Sequence, residues 1–108
     1  MIIDNCRIEN NRDYGIRVLG SAVVTVTNTQ VNATGFRVGS LGDTTLEAGA
    51  TDVPNPGTGI EFEGTSRGFV SGGTVTGSLN IGLVGNPRRV VRKGVVLFDN
   101  GKNFAPKD

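Results

Sequence analysis

One internal repeat governs what this chain can fold into. The segments IIDNCRIENN (2–11), VTVTNTQVNAT (24–34) and FVSGGTVTGS (69–78) superpose with Ile3, Val26 and Val70 in one column and Ile8, Val31 and Val75 in a second, at steps of 23 and 44 residues. A second run, YGIRVLGS (14–21), TGIEFEGT (58–65) and LNIGLVGN (79–86), aligns Ile16 with Ile60 and Ile81, Val18 with Phe62 and Leu83, and Gly20 with Gly64 and Gly85. A step of about 21 to 23 residues holding two or three short strands is the length of one coil of a parallel β-solenoid, whose coils stack at the ~4.8 Å strand spacing. The 44-residue step is then one coil plus an insertion across FRVGSLGDTTLEAGATDVPNPG (36–57), where Gly, Pro, Asp and Thr break any strand period. RRVVRKGVVLFDNG (88–101) suggests a fourth coil, with Val91 and Val96 placed 21 residues after Val70 and Val75. Beyond Gly101 the tail carries no period.

Composition agrees with strands joined by tight turns. The 108 residues include 17 Gly, no Trp and no His, with five Phe and one Tyr supplying the aromatic bulk. Val, Thr, Asn and Gly dominate, a mix suited to pleated strands and turns. The predicted class is therefore all-β. Eleven Lys and Arg against ten Asp and Glu leave a formal charge of +1, which gives no reason to invoke nucleic acid or an anionic membrane. Cys6 is the only cysteine, so no internal disulfide forms. The absence of His removes the familiar zinc sites and His-dependent triads. No metal and no cofactor are implied, and catalysis, if present, runs on carboxylates, Tyr, Lys or Arg. No stretch approaches the ~18 apolar residues of a membrane span, and the start MIIDNCRIENN lacks the pattern of a signal peptide.

The two-residue period of a strand separates inside from outside. Ile16, Val18, Ile60, Phe62, Ile81 and Leu83 are expected to point in, and Arg17, Glu61, Glu63 and Gly82 to point out. Asn5 and Asn28 share a turn column with Gly72 following, since Asn tolerates left-handed backbone and its amide can bond the amide above. Cys6, Thr29 and Gly73 form the next column, where Cys6 fills a small turn position and has no basic partner to activate its thiol.

The pattern I-x-N-C-x-I-x-N-N-x-x-Y-G-I-x-V-x-G-S, from Ile3 to Ser21, resembles the right-handed parallel β-helix of the pectate-lyase-like superfamily, and weaker copies at 24–34 with 58–65 and at 69–85 extend it. The resemblance covers roughly residues 2–98 and bears on architecture more than on chemistry. It implies a single-stranded parallel β-helix of about 3–4 coils with one long loop insertion. Coil 1 is placed at about 1–21, coil 2 at about 22–65 including the insertion, coil 3 at about 66–86, and a partial coil 4 with tail at 87–108. Among the superfamily's lyases, polygalacturonases, epimerases and phage tailspikes, the Thr- and Gly-rich coils look most like a tailspike. That resemblance implies a slice of a longer solenoid, a homotrimer, a virion-tail or extracellular location, and a bacterial surface polysaccharide as partner.

Glycosidases need two carboxyl groups, about 5 Å apart in retaining and about 6.5–9.5 Å apart in inverting enzymes. Glu61 and Glu63 share an outward face at roughly 6.5–7 Å along a strand, and are the candidate catalytic pair. Arg17 is expected one coil below Glu61, so the plainer reading is a solvated ion pair between coils. Substrate-binding candidates are Arg17, Tyr14, which could stack on a sugar, and Arg37, Asp43 and Asp52 of the insertion, where a loop could wall a groove. Asp4 and Glu9 lie in columns that dilute charge. NPRRVVRKG (86–94) reads either as a binder of acidic polysaccharide or as protection of a strand edge. Two function classes follow. One is a structural, oligomerising part of a polysaccharide-binding or depolymerising protein; the other is a carboxylate-based hydrolase or lyase site in the piece itself.

Overall fold

The computed structural model describes residues 1–11, 13–32, 34 and 57–107, and among these twelve strands wind through four coils with no helix. Each coil gives one strand to each of three parallel sheets. Sheet A stacks β1 (Ile2–Asp4), β4 (Val23–Thr27), β7 (Arg67–Ser71) and β10 (Val90–Lys93). Sheet B stacks β2 (Arg7–Glu9), β5 (Gln30–Asn32), β8 (Thr74–Thr76) and β11 (Val96–Phe98). Sheet C stacks β3 (Tyr14–Val18), β6 (Thr58–Phe62), β9 (Ile81–Gly85) and β12 (Lys102–Pro106). The chain is the all-β parallel solenoid that the repeat predicts.

The corner between sheets A and B shows why the sequence folds this way. Asn5, Asn28, Gly72 and Gly94 follow the last paired residues of β1, β4, β7 and β10, and all four have left-handed backbone, with φ of 55°, 48°, 65° and 71°. Asn and Gly are the residues that adopt this region at low cost. The main chain continues the ladder through the corner, with Asn5 N donating to Thr27 O at 2.9 Å, Asn28 N to Ser71 O at 2.9 Å and Gly72 N to Lys93 O at 3.0 Å. No amide-to-amide bond joins Asn5 and Asn28 among the described residues; the Asn28 amide instead lies where a Cβ on Gly72 would come within 2.5 Å of its oxygen. Cys6 stands beside Thr29 in the next column, as the repeat predicts, and is exposed, with its thiol donating to Asp4 O at 3.3 Å.

The interior is a stack of aliphatic side chains. Val26, Val31, Ile60, Val70, Val75 and Leu83 are the most deeply buried of them, while Ile3 and Ile8 of the first coil pack against them from the edge. A fully buried Val, Ile or Leu contributes about 1.5–3 kcal/mol relative to an exposed one, so the two middle coils carry most of the stabilisation.

From the third coil onward the registers differ from the sequence expectation. In sheet C, Ile60 pairs with Leu83 and Thr58 with Ile81, so the third coil is shifted by two residues from the Ile60–Ile81 alignment, and Ile81 is only half-buried. The shift seats Gly85, not Leu83, beside Phe62, where a Cβ would come within 2.8 Å of Val90 Cγ2. A Cβ on Gly68 would lie 2.2 Å from Cε1 of the Phe62 ring. Gly85 therefore ends a buried strand and does not turn a corner. In coil 4, Arg92 pairs with Val70 and Leu97 with Val75, a step of 22 residues. A step of 21 would put Lys93 over Gly72 and force it into the left-handed corner that Gly94 fills. Val91 and Val96 consequently face out, 53% and 52% exposed. The tail past Gly101 is also not aperiodic: β12 pairs with β9, Phe104 on Leu83, and completes the fourth coil. Gly82, expected to face solvent, is buried, and a Cβ there would come within 2.8 Å of Asn100 Nδ2.

The Phe62–Gly68 contact yields a first prediction. Gly68→Ala should destabilise the fold by about 1–3 kcal/mol through overpacking. Adding Phe62→Leu should recover part of that loss, so that a double-mutant cycle measured by chemical denaturation is non-additive.

Candidate functional site

The outer face of sheet C gathers the predicted site residues that the structure describes. Arg17 on β3 pairs in register with Glu61 on β6, and Glu63 follows two residues later, just past the strand. Arg17 Nε lies 3.1 Å from Glu61 Oε2 and its Nη2 2.9 Å from Glu63 Oε2. Lys107, just beyond β12, brings its Nζ to 2.6 Å from Glu63 Oε1 and 3.5 Å from Glu61 Oε1. Each carboxylate therefore touches both cations, and the four side chains close into a ring of zero formal charge.

This ring fastens coils that are not neighbours. Arg17 belongs to the first coil, the glutamates to the second and Lys107 to the fourth. The lysine reaches past the third coil, whose outward residue in the Glu61 column, Val84, is buried. The Glu61 side chain is only 10% exposed, which is deeper than the solvated pair expected from sequence. Tyr14 joins the cluster through Arg17, whose guanidinium carbon stands 4.5 Å from the centre of the Tyr14 ring. That ring face is covered by a cation of the same chain.

The electrostatics follow from the contacts. The hydrogen bond from Lys107 holds the Glu63 carboxyl below the usual carboxylate range against desolvation, with Arg17 adding to the effect. The same bond to Glu63 holds Lys107 above the usual ammonium range. A general acid for glycoside cleavage needs the opposite, a carboxyl raised toward neutral pH. Glu63 is poised to stay ionised, which suits a clasp. No group of three or more His, Cys, Asp or Glu is placed to hold a metal among the described residues.

Arg37, Asp43 and Asp52, with the rest of the insertion through residue 56, lie outside the described residues. Asp4 and Glu9 stand beneath Thr27 and Ser71 and beneath Asn32 and Thr76, in the diluted columns the repeat predicts. Lys107 is the member of the cluster that sequence reasoning missed. The signal was present, because a step of 21 residues from Leu83 lands on Phe104 and carries the following residues onto sheet C.

Three stacked parallel sheets with left-handed corners define a parallel β-solenoid. A family model described as a right handed beta helix region matches residues 1–104, and the chain belongs to that family. No curated protein and no solved structure matches it.

The clasp has a pH signature. Glu63, depressed in the folded state, contributes stability above the ordinary carboxylate value of about 4.3, and this is lost as pH falls through its lower folded value. Lys107, raised in the folded state, contributes below about 10.4, and this is lost as pH rises through its higher folded value. Denaturant unfolding should therefore show this contribution flat between those limits and declining on both sides. Lys107→Met should weaken both limbs, and should speed amide exchange in β12 more than in β6.

Proposed function

We propose that the chain is a structural, oligomer-forming β-helix segment of a protein that binds or depolymerises bacterial surface polysaccharide, as a tailspike does. The observation that carries the structural reading is the closed ring of Arg17, Lys107, Glu61 and Glu63. The carboxylate pair with the best spacing for sugar chemistry is neutralised by its own chain, and Glu63 is held ionised. The polysaccharide partner and the virion-tail or extracellular setting rest on the resemblance of the coils.

Association of copies is supported by the outer face of sheet A. Ile2, Phe69 and Val91 occupy one outward column with Thr25 between Ile2 and Phe69, and Val23 stands beside it; all four apolar side chains are exposed. A strip of this kind along a sheet is a surface for burial against another molecule. Three copies side by side bury it on every protomer.

Sedimentation equilibrium tests the association. The wild-type chain should form a trimer, and Phe69→Glu should shift it to monomer with unchanged far-ultraviolet circular dichroism; a concentration-independent wild-type monomer would remove this part of the reading. For the chemistry, the paired Glu61→Gln and Glu63→Gln change should leave release of reducing sugar or unsaturated uronate from bacterial capsule unchanged. Abolition of a measurable wild-type release, in a variant that keeps its thermal midpoint, would instead establish the carboxylate-based hydrolase or lyase site.

A further inference from the structure

We propose that each seam between side-by-side copies is a binding site for a small oxyanion carrying two or more negative charges, held by Arg67 and Arg89 of one copy and Lys93 of the next. The inference rests on the association of copies through sheet A. Its basis is the charge on that face, where the outward residues form three columns. Val23 and Arg67 continue to Arg89, which precedes Val90 as Arg67 precedes the paired Gly68. Ile2, Thr25, Phe69 and Val91 form the middle column, and Asp4, Thr27, Ser71 and Lys93 the third. The third and fourth coils therefore frame Phe69 and Val91 with three cations, although the whole chain carries a net charge of only +1. Across the second, third and fourth coils these columns hold no carboxylate.

Among the described residues the ion pairs use Arg7, Arg17 and Lys107, and none neutralises the cations of sheet A. Arg67 and Lys93 are exposed. Arg89 is half-buried, and its Nη1 donates to Gly64 O at 3.3 Å, which keeps the guanidinium at the corner between sheets C and A. Asp4, the acid of this face, accepts a hydrogen bond from the Thr27 hydroxyl. It lies two coils below Arg67 and three below Lys93, roughly 10 Å and 14 Å at ~4.8 Å per coil. Arg67 and Arg89 are one coil apart. Like charges directly opposite on neighbouring strands destabilise each other, so this pair gains most from an anion that bridges both.

Association brings in the third cation. Copies related by rotation about an axis along the solenoid stay at one height, and the contact between neighbours is heterologous, so the first column of one copy faces the third column of the next. Each seam then gathers Arg67 and Arg89 with Lys93 of the partner subunit, within one coil of height. Burying cations without a counter-charge opposes association, and a bound oxyanion removes that opposition. Two guanidinium forks and an ammonium supply the donors for a phosphate-type group, whereas a monocarboxylate leaves two of the three charges unmet. The columns project sideways, so coils stacked above or below leave the site as it is.

Sedimentation equilibrium of the whole chain in millimolar pyrophosphate, against sodium chloride of matched ionic strength, tests the site. Pyrophosphate should lower the concentration at which half the chains are trimeric by roughly tenfold or more, because binding is linked to assembly, and acetate should not. Arg67→Gln and Lys93→Gln, each with unchanged far-ultraviolet circular dichroism, should lose that response, while Arg7→Gln on sheet B should keep it. Isothermal titration should find about one pyrophosphate per wild-type chain, as the rotational symmetry requires, and none on the Phe69→Glu monomer, which has no seam. A trimer of equal strength in both media, a response that survives Arg67→Gln or Lys93→Gln, or equal uptake by the Phe69→Glu monomer would each overturn the seam site and leave the association standing. A wild-type monomer in both media would remove the association and the site with it.

Discussion

Corner backbone is the constraint on which the rest of this solenoid depends. A coil can stack on the one below only if its turns pass through the same backbone region at the same place, and at the A–B corner that region is left-handed in all four coils. Side chains with a Cβ are costly there unless they are Asn or Asp. The corner column of Asn5, Asn28, Gly72 and Gly94 therefore overrides the similarity of the flanking valines. It draws Gly94 over Gly72, turns Val91 and Val96 outward, and leaves Arg92 as the residue above Val70.

Volume inside the coils acts as the second constraint. Phe62 is the largest buried side chain of sheet C, and room for its ring comes from Gly68, while Gly85 beside it leaves room for Val90. Close packing opposes the alternative, because Leu83 in the Gly85 position would crowd Val90, whose Cγ2 lies 2.8 Å from where its Cβ would stand. The two-residue shift of β9 that results puts Leu83 on Ile60 and, on the outer face, Val84 on Glu61. The third coil therefore presents no polar group to the glutamates, and Lys107 of the fourth coil reaches them instead. Interior volume thus helps determine which cation closes the charge ring on the surface.

Much of this was legible in the chain itself. The columns through Ile3, Val26 and Val70, through Ile8, Val31 and Val75, and through Ile16 and Ile60 are the observed ones. Arg17 and Glu61 are neighbours as the first two copies of the repeat require. Less was legible from the third coil onward, where the repeat decays: Leu83 is an apolar match for either Phe62 or Ile60, and only contacts inside the coils, such as that of Gly85 with Val90, separate the two alignments. In β12 a single large apolar residue, Phe104, marks the period, too little to reveal a strand that lies on a sheet already formed.

What the sequence by itself determined is the coil: its length, its alternation of buried and outward residues, and the residue types able to turn its corners. These depend on the two-residue period of a strand and on backbone sterics, which are local. The tertiary structure decided the register of the last two coils described, the joining of Arg17, Glu61, Glu63 and Lys107 into one neutral ring, and the placement of Arg92 over the Phe104 ring. Those outcomes depend on interior volume and on charges that meet only once residues up to 90 positions apart lie side by side.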